Sequence, residues 1–252
     1  MARVTVVSDP AAVAAAVAGR LTALIEQSIG ERGSAIVCLT GGRTAKGVHQ
    51  RLANPDGPHR IDWARVHLFW GDERHVSPDD PDSNFGMAWR TLLAHVPVPA
   101  AQVHRMPGES PDPAAAARAY EATLREGFAL AGRSDQRFDV MLLSLGEDAH
   151  IASIFPGSRL LSDLPLNNRD SDLVRSAQAR DGAWRITLTP AALLDARAIL
   201  AMASGAAKAD AVRAALELAD DIARWPAQLL RAAGDRVEWM VDREAAAGSS
   251  LL

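Results

Sequence analysis

The segment Gly146-Glu147-Asp148-Ala149-His150 sets a histidine two residues after an aspartate. An imidazole beside a carboxylate can take a proton from water while the carboxylate fixes its tautomer, the pairing that general-base catalysis uses. Gly71-Asp72-Glu73-Arg74-His75 crowds four ionisable side chains into one short stretch, where burial and mutual charge shift proton affinities. Thr40-Gly41-Gly42-Arg43-Thr44 offers main-chain NH groups and two hydroxyls to an anion. Arg185 and Lys208 add cations further along. Only Lys46 and Lys208 are lysines among the 27 basic residues, and a lysine kept against such a bias suits a compact point charge at a phosphate.

Positioning these groups requires elements that end where they begin. Residues 35–39 and 66–70 are continuous apolar runs of the kind buried on both faces of a parallel sheet. Residues 4–7, 138–145, 186–188, 198–203 and 237–241 supply further strands. Helical patterns lie between them. Ser8-Asp9-Pro10 caps one that carries Val13, Val17, Leu21 and Leu24 or Ile25 on a single face. A second has Ala45, Val48 and Leu52, and a third covers residues 114–131. Strands alternating with helices predict a doubly wound, mostly parallel α/β sheet with helices on both faces, formed as one domain over residues 1–252. Ligands of such sheets bind beyond the carboxyl ends of the strands, so the turns after Leu39, Trp70, Leu145 and Ala203 are the ones to watch. Residues 54–60, 77–83 and 163–172 read as loose loops beside them.

Several chemistries are excluded by pattern. Gly42 to Gly47 has Walker spacing, but Val48-His49 follow where Lys-Ser/Thr is required. A calcium loop starting at Asp80 would need Gly at 85 and Glu at 91, where the chain has Phe85 and Thr91. Neither H-E-x-x-H nor G-x-S-x-G occurs. The formal charge of -4 and an aromatic content of 5% leave no basic, stacking surface for nucleic acid. No apolar run reaches the roughly 18 to 20 residues of a membrane helix. Cys38 is the sole cysteine, which fits a reducing cytoplasm and offers no disulfide or Cys-based metal site.

The quoted motifs, together with Ser83-Asn84, Ile151-Ala152-Ser153-Ile154-Phe155-Pro156-Gly157, Arg185-Ile186-Thr187 and Ser204-Gly205, resemble the 6-phosphogluconolactonases within the glucosamine-6-phosphate isomerase-like group. The resemblance implies hydrolysis of 6-phospho-D-glucono-1,5-lactone without cofactor or metal, by a protein that is often a monomer. It implies His150 as general base, Asp148 or Asp72 as the carboxylate orienting it, and Arg74 or a main-chain NH as oxyanion partner. Gly41, Gly42, Arg43, Thr44, Arg185 and Lys208 would then bind the phosphate. The family usually has glycine where Ala149 stands, and a small hydroxyl residue where Arg43 stands. The deaminase branch places a glutamate five residues past the histidine, where this chain has Phe155. Deamination of an aminosugar phosphate, and sugar-phosphate sensing without catalysis, are the alternative functions.

Overall fold

The computed structural model describes residues 3–161 and 172–252. Strand β1 (Arg3–Val7) leads into helix α1 (Pro10–Arg32), whose Asp9 cap accepts the Ala12 NH at 2.9 Å. Proline opens that helix and Gly33, with φ of 80°, closes it. Its predicted face is the buried one: Val13, Val17, Leu21 and Ile25 are all fully enclosed, each worth about 1.5–3 kcal/mol of apolar burial. α1 is also the one described helix long and apolar enough to cross a membrane by composition. Here it packs against α2 (Arg43–Leu52) and the central sheet.

The remaining elements follow in order. Strands β2 (Ala35–Leu39) and β3 (Val66–Trp70) flank α2, and β4 (Asp72–Arg74) comes next. Helices α3 (Asn84–Thr91) and α4 (Pro113–Leu130) precede β5 (Val140–Ser144). Then come β6 (Val174–Gln178), β7 (Trp184–Leu188), the short α5 (Pro190–Leu194) and β8 (Ile199–Ala203). Helix α6 (Ala209–Leu216) and β9 (Val237–Asp242) follow.

Six strands form one wholly parallel sheet in the order β1-β9-β8-β5-β2-β3. From β2 the chain moves outward to β3 and later returns to β5 on the opposite side of β2. The β2/β5 boundary is therefore a topological switch point, where a crevice opens at the carboxyl ends of the strands. Tyr120 of α4 secures the end of β3, its hydroxyl donating to the Trp70 carbonyl at 3.1 Å and accepting the Trp70 NH at 2.9 Å.

The structure corrects the strand plan in three places. The 186–188 strand is not in the parallel sheet. As β7 it lies at the centre of a separate antiparallel sheet, β4-β7-β6. Asp72–Arg74, expected as a loop, is its first strand, hidden from pattern reading because a run of three charged residues, two of them buried, does not look like a strand. β6 was not foreseen at all. Residues 163–171 of the expected loose stretch lie outside the described residues.

The core contains His49, whose Nε2 has no partner among the described residues and whose Nδ1 meets Thr91 Oγ1 at 3.2 Å. Burial lowers its pKa to about 4 from 6.5. The unfolded chain then binds this proton first, so stability is lost as pH falls from 6.5 toward 4. Between pH 7 and 5 urea denaturation should show a loss of roughly 2 kcal/mol from this group. His49→Leu should abolish that part of the slope; an unchanged slope would contradict the assignment.

Candidate active site

The loop leaving β5 folds back on itself. Gly146 NH donates to the His150 carbonyl at 2.8 Å and Ala149 NH to the Gly146 carbonyl at 3.1 Å. This turn needs left-handed backbone at Ala149 (φ 60°) and again at Ala152 (φ 48°), each costing roughly 1–2 kcal/mol for a residue with a Cβ. Ala149, where the resemblance leads one to expect glycine, thus takes a conformation that glycine adopts freely and alanine only under strain. The turn lays the His150 ring directly over Gly146: a Cβ there would sit 2.1 Å from Nδ1.

Asp148 Oδ1 receives both the His150 NH at 3.2 Å and Nδ1 at 2.6 Å. The imidazole hydrogen bond, with its charge, holds the Asp148 carboxyl down to about 2 against the opposing effect of burial. An ionised carboxylate can only accept, so Nδ1 donates to it, and in a neutral imidazole held this way Nε2 is the nitrogen with the lone pair. The Phe155 ring packs against the imidazole, with centroids 4.8 Å apart.

Asp72 is not the residue that orients the imidazole. Its Oδ2 accepts the Ser153 hydroxyl at 2.7 Å, and its Oδ1 and main-chain carbonyl face Asn84 Nδ2 at 3.4 and 3.0 Å. Ser153 is itself held by Thr187 Oγ1, which accepts its NH at 3.1 Å. Asp72 nevertheless shares a cavity of about 330 Å³ with His150, Asp148, Arg74, Arg185 and Arg180. Arg74 and Arg185 are direct cross-strand partners in the β4–β7 ladder, a repulsive pairing in the absence of an anion. Burial, followed by the charge of Arg74, draws the Arg185 pKa below the usual guanidinium value.

The turn after β2 is tied to the same end of the sheet. Ser144, the last residue of β5, donates its hydroxyl to the Gly41 carbonyl at 2.8 Å. Gly42 stands at the N-terminus of α2 with φ of 101° and no side chain capping the helix, leaving main-chain NH groups directed outward. Thr44 and Ser204 share a hydroxyl hydrogen bond at 2.9 Å. Arg43 and Thr44 line a groove with Ser204 and Gly205 and are not among the residues that line the His150 cavity. Lys208 is half-buried, and burial lowers its pKa. Glu147 and Asp148 act on it favourably and Arg43 unfavourably, which places it electrostatically between the two sets. Arg185, grouped by sequence with the phosphate loop, lines the histidine's cavity instead.

Several contributors escaped sequence reading. Ser153 was quoted only within a motif, and its partner Asp72 is 81 residues away. Asp242, fully buried, accepts the Gly205 NH through both oxygens at 3.0 Å and so sets the turn that delivers Lys208. Arg180 and Asp181, from the turn joining β6 to β7, form one wall of the cavity. Arg180 lies 3.8 Å from Asp148 Oδ2. No cluster of three or more metal-ligating side chains occurs among the described residues.

Fold and geometry together define a parallel α/β protein with an imidazole–carboxylate pair and a glycine-rich turn at its switch point. Residues 8–239 match the family described as glucosamine-6-phosphate isomerases/6-phosphogluconolactonase, and the chain belongs to that family. A 6-phosphogluconolactonase of Mycobacterium leprae is 38% identical over 257 aligned residues, covering 98% of each chain. One from Synechocystis is 34% identical over 225 residues, covering 89% of each. The solved structure of 6-phosphogluconolactonase from Trypanosoma brucei superposes with a TM-score of 0.79 at 28% identity, covering 98% of both chains.

Two substitutions test this loop. Gly146→Ala should push the imidazole off Asp148 and lower turnover at least 100-fold, by the misplacement that costs alignment; parental turnover would contradict the geometry. Ala149→Gly should relieve the left-handed strain, partly offset by unfolded-chain entropy, for a net gain of about 0.5–1 kcal/mol in urea denaturation.

Proposed function

We propose that this chain hydrolyses 6-phospho-D-glucono-1,5-lactone to 6-phospho-D-gluconate, the lactonase step of the oxidative pentose phosphate route. The observation that carries this reading is the 2.6 Å contact from His150 Nδ1 to Asp148, which leaves Nε2 as the free base of a cavity lined by arginines. Its curated relatives bear the name of this activity.

A lactone is an ester closed on itself, so hydrolysis needs a water made nucleophilic and a ring oxygen made into a leaving group. His150 Nε2 takes a proton from water as its oxygen bonds to C1. The carbonyl electrons move onto oxygen, and Arg74 stabilises that charge from the cavity wall. When the intermediate collapses, the C1–ring oxygen bond breaks and the imidazolium returns its proton to the departing oxygen. Asp148 stays ionised throughout and keeps the tautomer.

The phosphate is the remote handle whose binding energy orients the ring. Main-chain NH groups at Gly41 and Gly42, the Thr44 hydroxyl, Arg43 and Lys208 take this group, with Arg185 as a further cation. Asp72, facing the cavity and held by Ser153 and Asn84, accepts hydroxyl groups of the sugar. Phe155 against the imidazole favours hydrolysis over deamination, because no carboxylic acid is supplied there to open an aminosugar ring. On this reading the enzyme is a cytoplasmic monomer of one domain, acting on a small molecule without nucleic acid, membrane or metal.

Acid release from freshly prepared lactone, corrected for spontaneous hydrolysis, should appear with this protein and persist with a chelator present. No release, or release of ammonia from glucosamine 6-phosphate, would overturn the reading. His150→Ala should lower kcat about 10²- to 10⁴-fold with KM little changed, whereas Lys208→Ala should act mainly on KM.

A further inference from the structure

Asn84 is the first residue of α3 and is almost wholly buried, at 4% exposure. Its main chain is fixed by Glu73, whose Oε1 accepts the Asn84 NH and whose Oε2 accepts the Phe85 NH, both at 2.7 Å. Capping of α3 is already supplied by Ser83, which accepts the Gly86 NH at 3.0 Å. Neither Glu73 nor Ser83 needs any particular side chain at position 84, so the helix does not account for the amide.

The amide instead reaches in two directions. Nδ2 faces the Asp72 carbonyl at 3.0 Å and Asp72 Oδ1 at 3.4 Å. Both are acceptors, which settles the orientation of the group. The opposite atom, Oδ1, rests against the backbone of Gly41: a Cβ on that glycine would lie 1.9 Å from Oδ1 and 2.5 Å from Cγ. No described residue donates a hydrogen bond to this oxygen. One side chain therefore touches both the glycine turn after β2 and the carboxylate in the histidine's cavity.

We infer that Asn84 is a positioning residue that fixes the spacing between the Gly41–Gly42 turn and the Asp72 carboxylate, and through it the register of the substrate's phosphate end against its ring. The inference rests on the lactonase reading. Gly41 is required by the same contact, since its missing side chain is the space that Asn84 occupies. Substrate alignment is sensitive to displacements of an ångström, which can cost 10²-fold in rate.

The test is a double-mutant cycle in kcat/KM for the lactone, with thermal melts confirming that each variant is folded. Asn84→Ala and Gly41→Ala should each lose about 10- to 100-fold. Their combination should lose no more than the worse single change, because removing the amide makes room for the methyl group. Additive losses, or parental kcat/KM in Asn84→Ala, would overturn the inference. Should Asn84→Ala fail to fold, the isosteric Asn84→Asp keeps it open to refutation. A carboxylate facing Asp72, with Glu73, Arg74, Arg185 and Cys38 as the surrounding ionisable groups, needs a shared proton to restore the donor. The ratio of Asn84→Asp to parental kcat/KM should then rise at least 5-fold from pH 8 to pH 6, and a flat ratio would refute the role. A parent protein that releases no acid from the lactone sinks the lactonase reading itself, a result distinct from active parent with unaffected variants.

Discussion

Adjacent strands β2 and β5 send their chains away in opposite directions, and the gap this leaves at their carboxyl ends is the constraint on which the rest depends. In a parallel sheet buried on both faces, ligands bind in such a crevice beyond the carboxyl ends of the strands. The turn after β2 brings main-chain NH groups to this gap, and the loop after β5 brings an imidazole. Ser144, at the end of one strand, binds the carbonyl of the turn at the end of the other. The two halves of the crevice are thereby joined by a single hydroxyl.

Around this gap the structure assigns its carboxylates to different tasks by environment. Asp148 is partly open and bonded to an imidazole, which keeps it ionised. Glu73 is buried, and burial raises its proton affinity against three main-chain donors that favour the charge. Asp242 is enclosed entirely and serves the turn before Lys208. Asp72 belongs to the small antiparallel sheet and faces the cavity with both oxygens already engaged by neighbours. The small sheet thus has a purpose in the layout: it carries Asp72, Arg74 and Arg185 across the mouth of a crevice that the main sheet alone would leave open.

Much of this could be read from the chain, and the reasons differ by residue. Strands such as 35–39 and 66–70 declare themselves because burial on both faces demands unbroken apolar runs. The turns after them are marked by glycine, and His150 by its neighbour Asp148. The antiparallel sheet was not legible, since Asp72–Arg74 is polar and buried and three-residue strands carry no period. The choice between Asp148 and Asp72 as the imidazole's partner was also beyond spacing, because either could approach a histidine in some fold. Contacts such as Ser153 with Asp72, or Asn84 with Gly41, join residues whose separation in sequence contains no signal. Only the family motif hinted that they mattered.

The hydroxyl pair between Thr44 and Ser204 bridges 160 positions of the chain, and this has a bearing on biosynthesis. Loops from the first fifth of the polypeptide meet partners that emerge only in its last fifth. Closing so wide a span is entropically slow. A ribosome must therefore deliver most of the sequence before any assembled crevice exists, and no early fragment can carry a working portion of it.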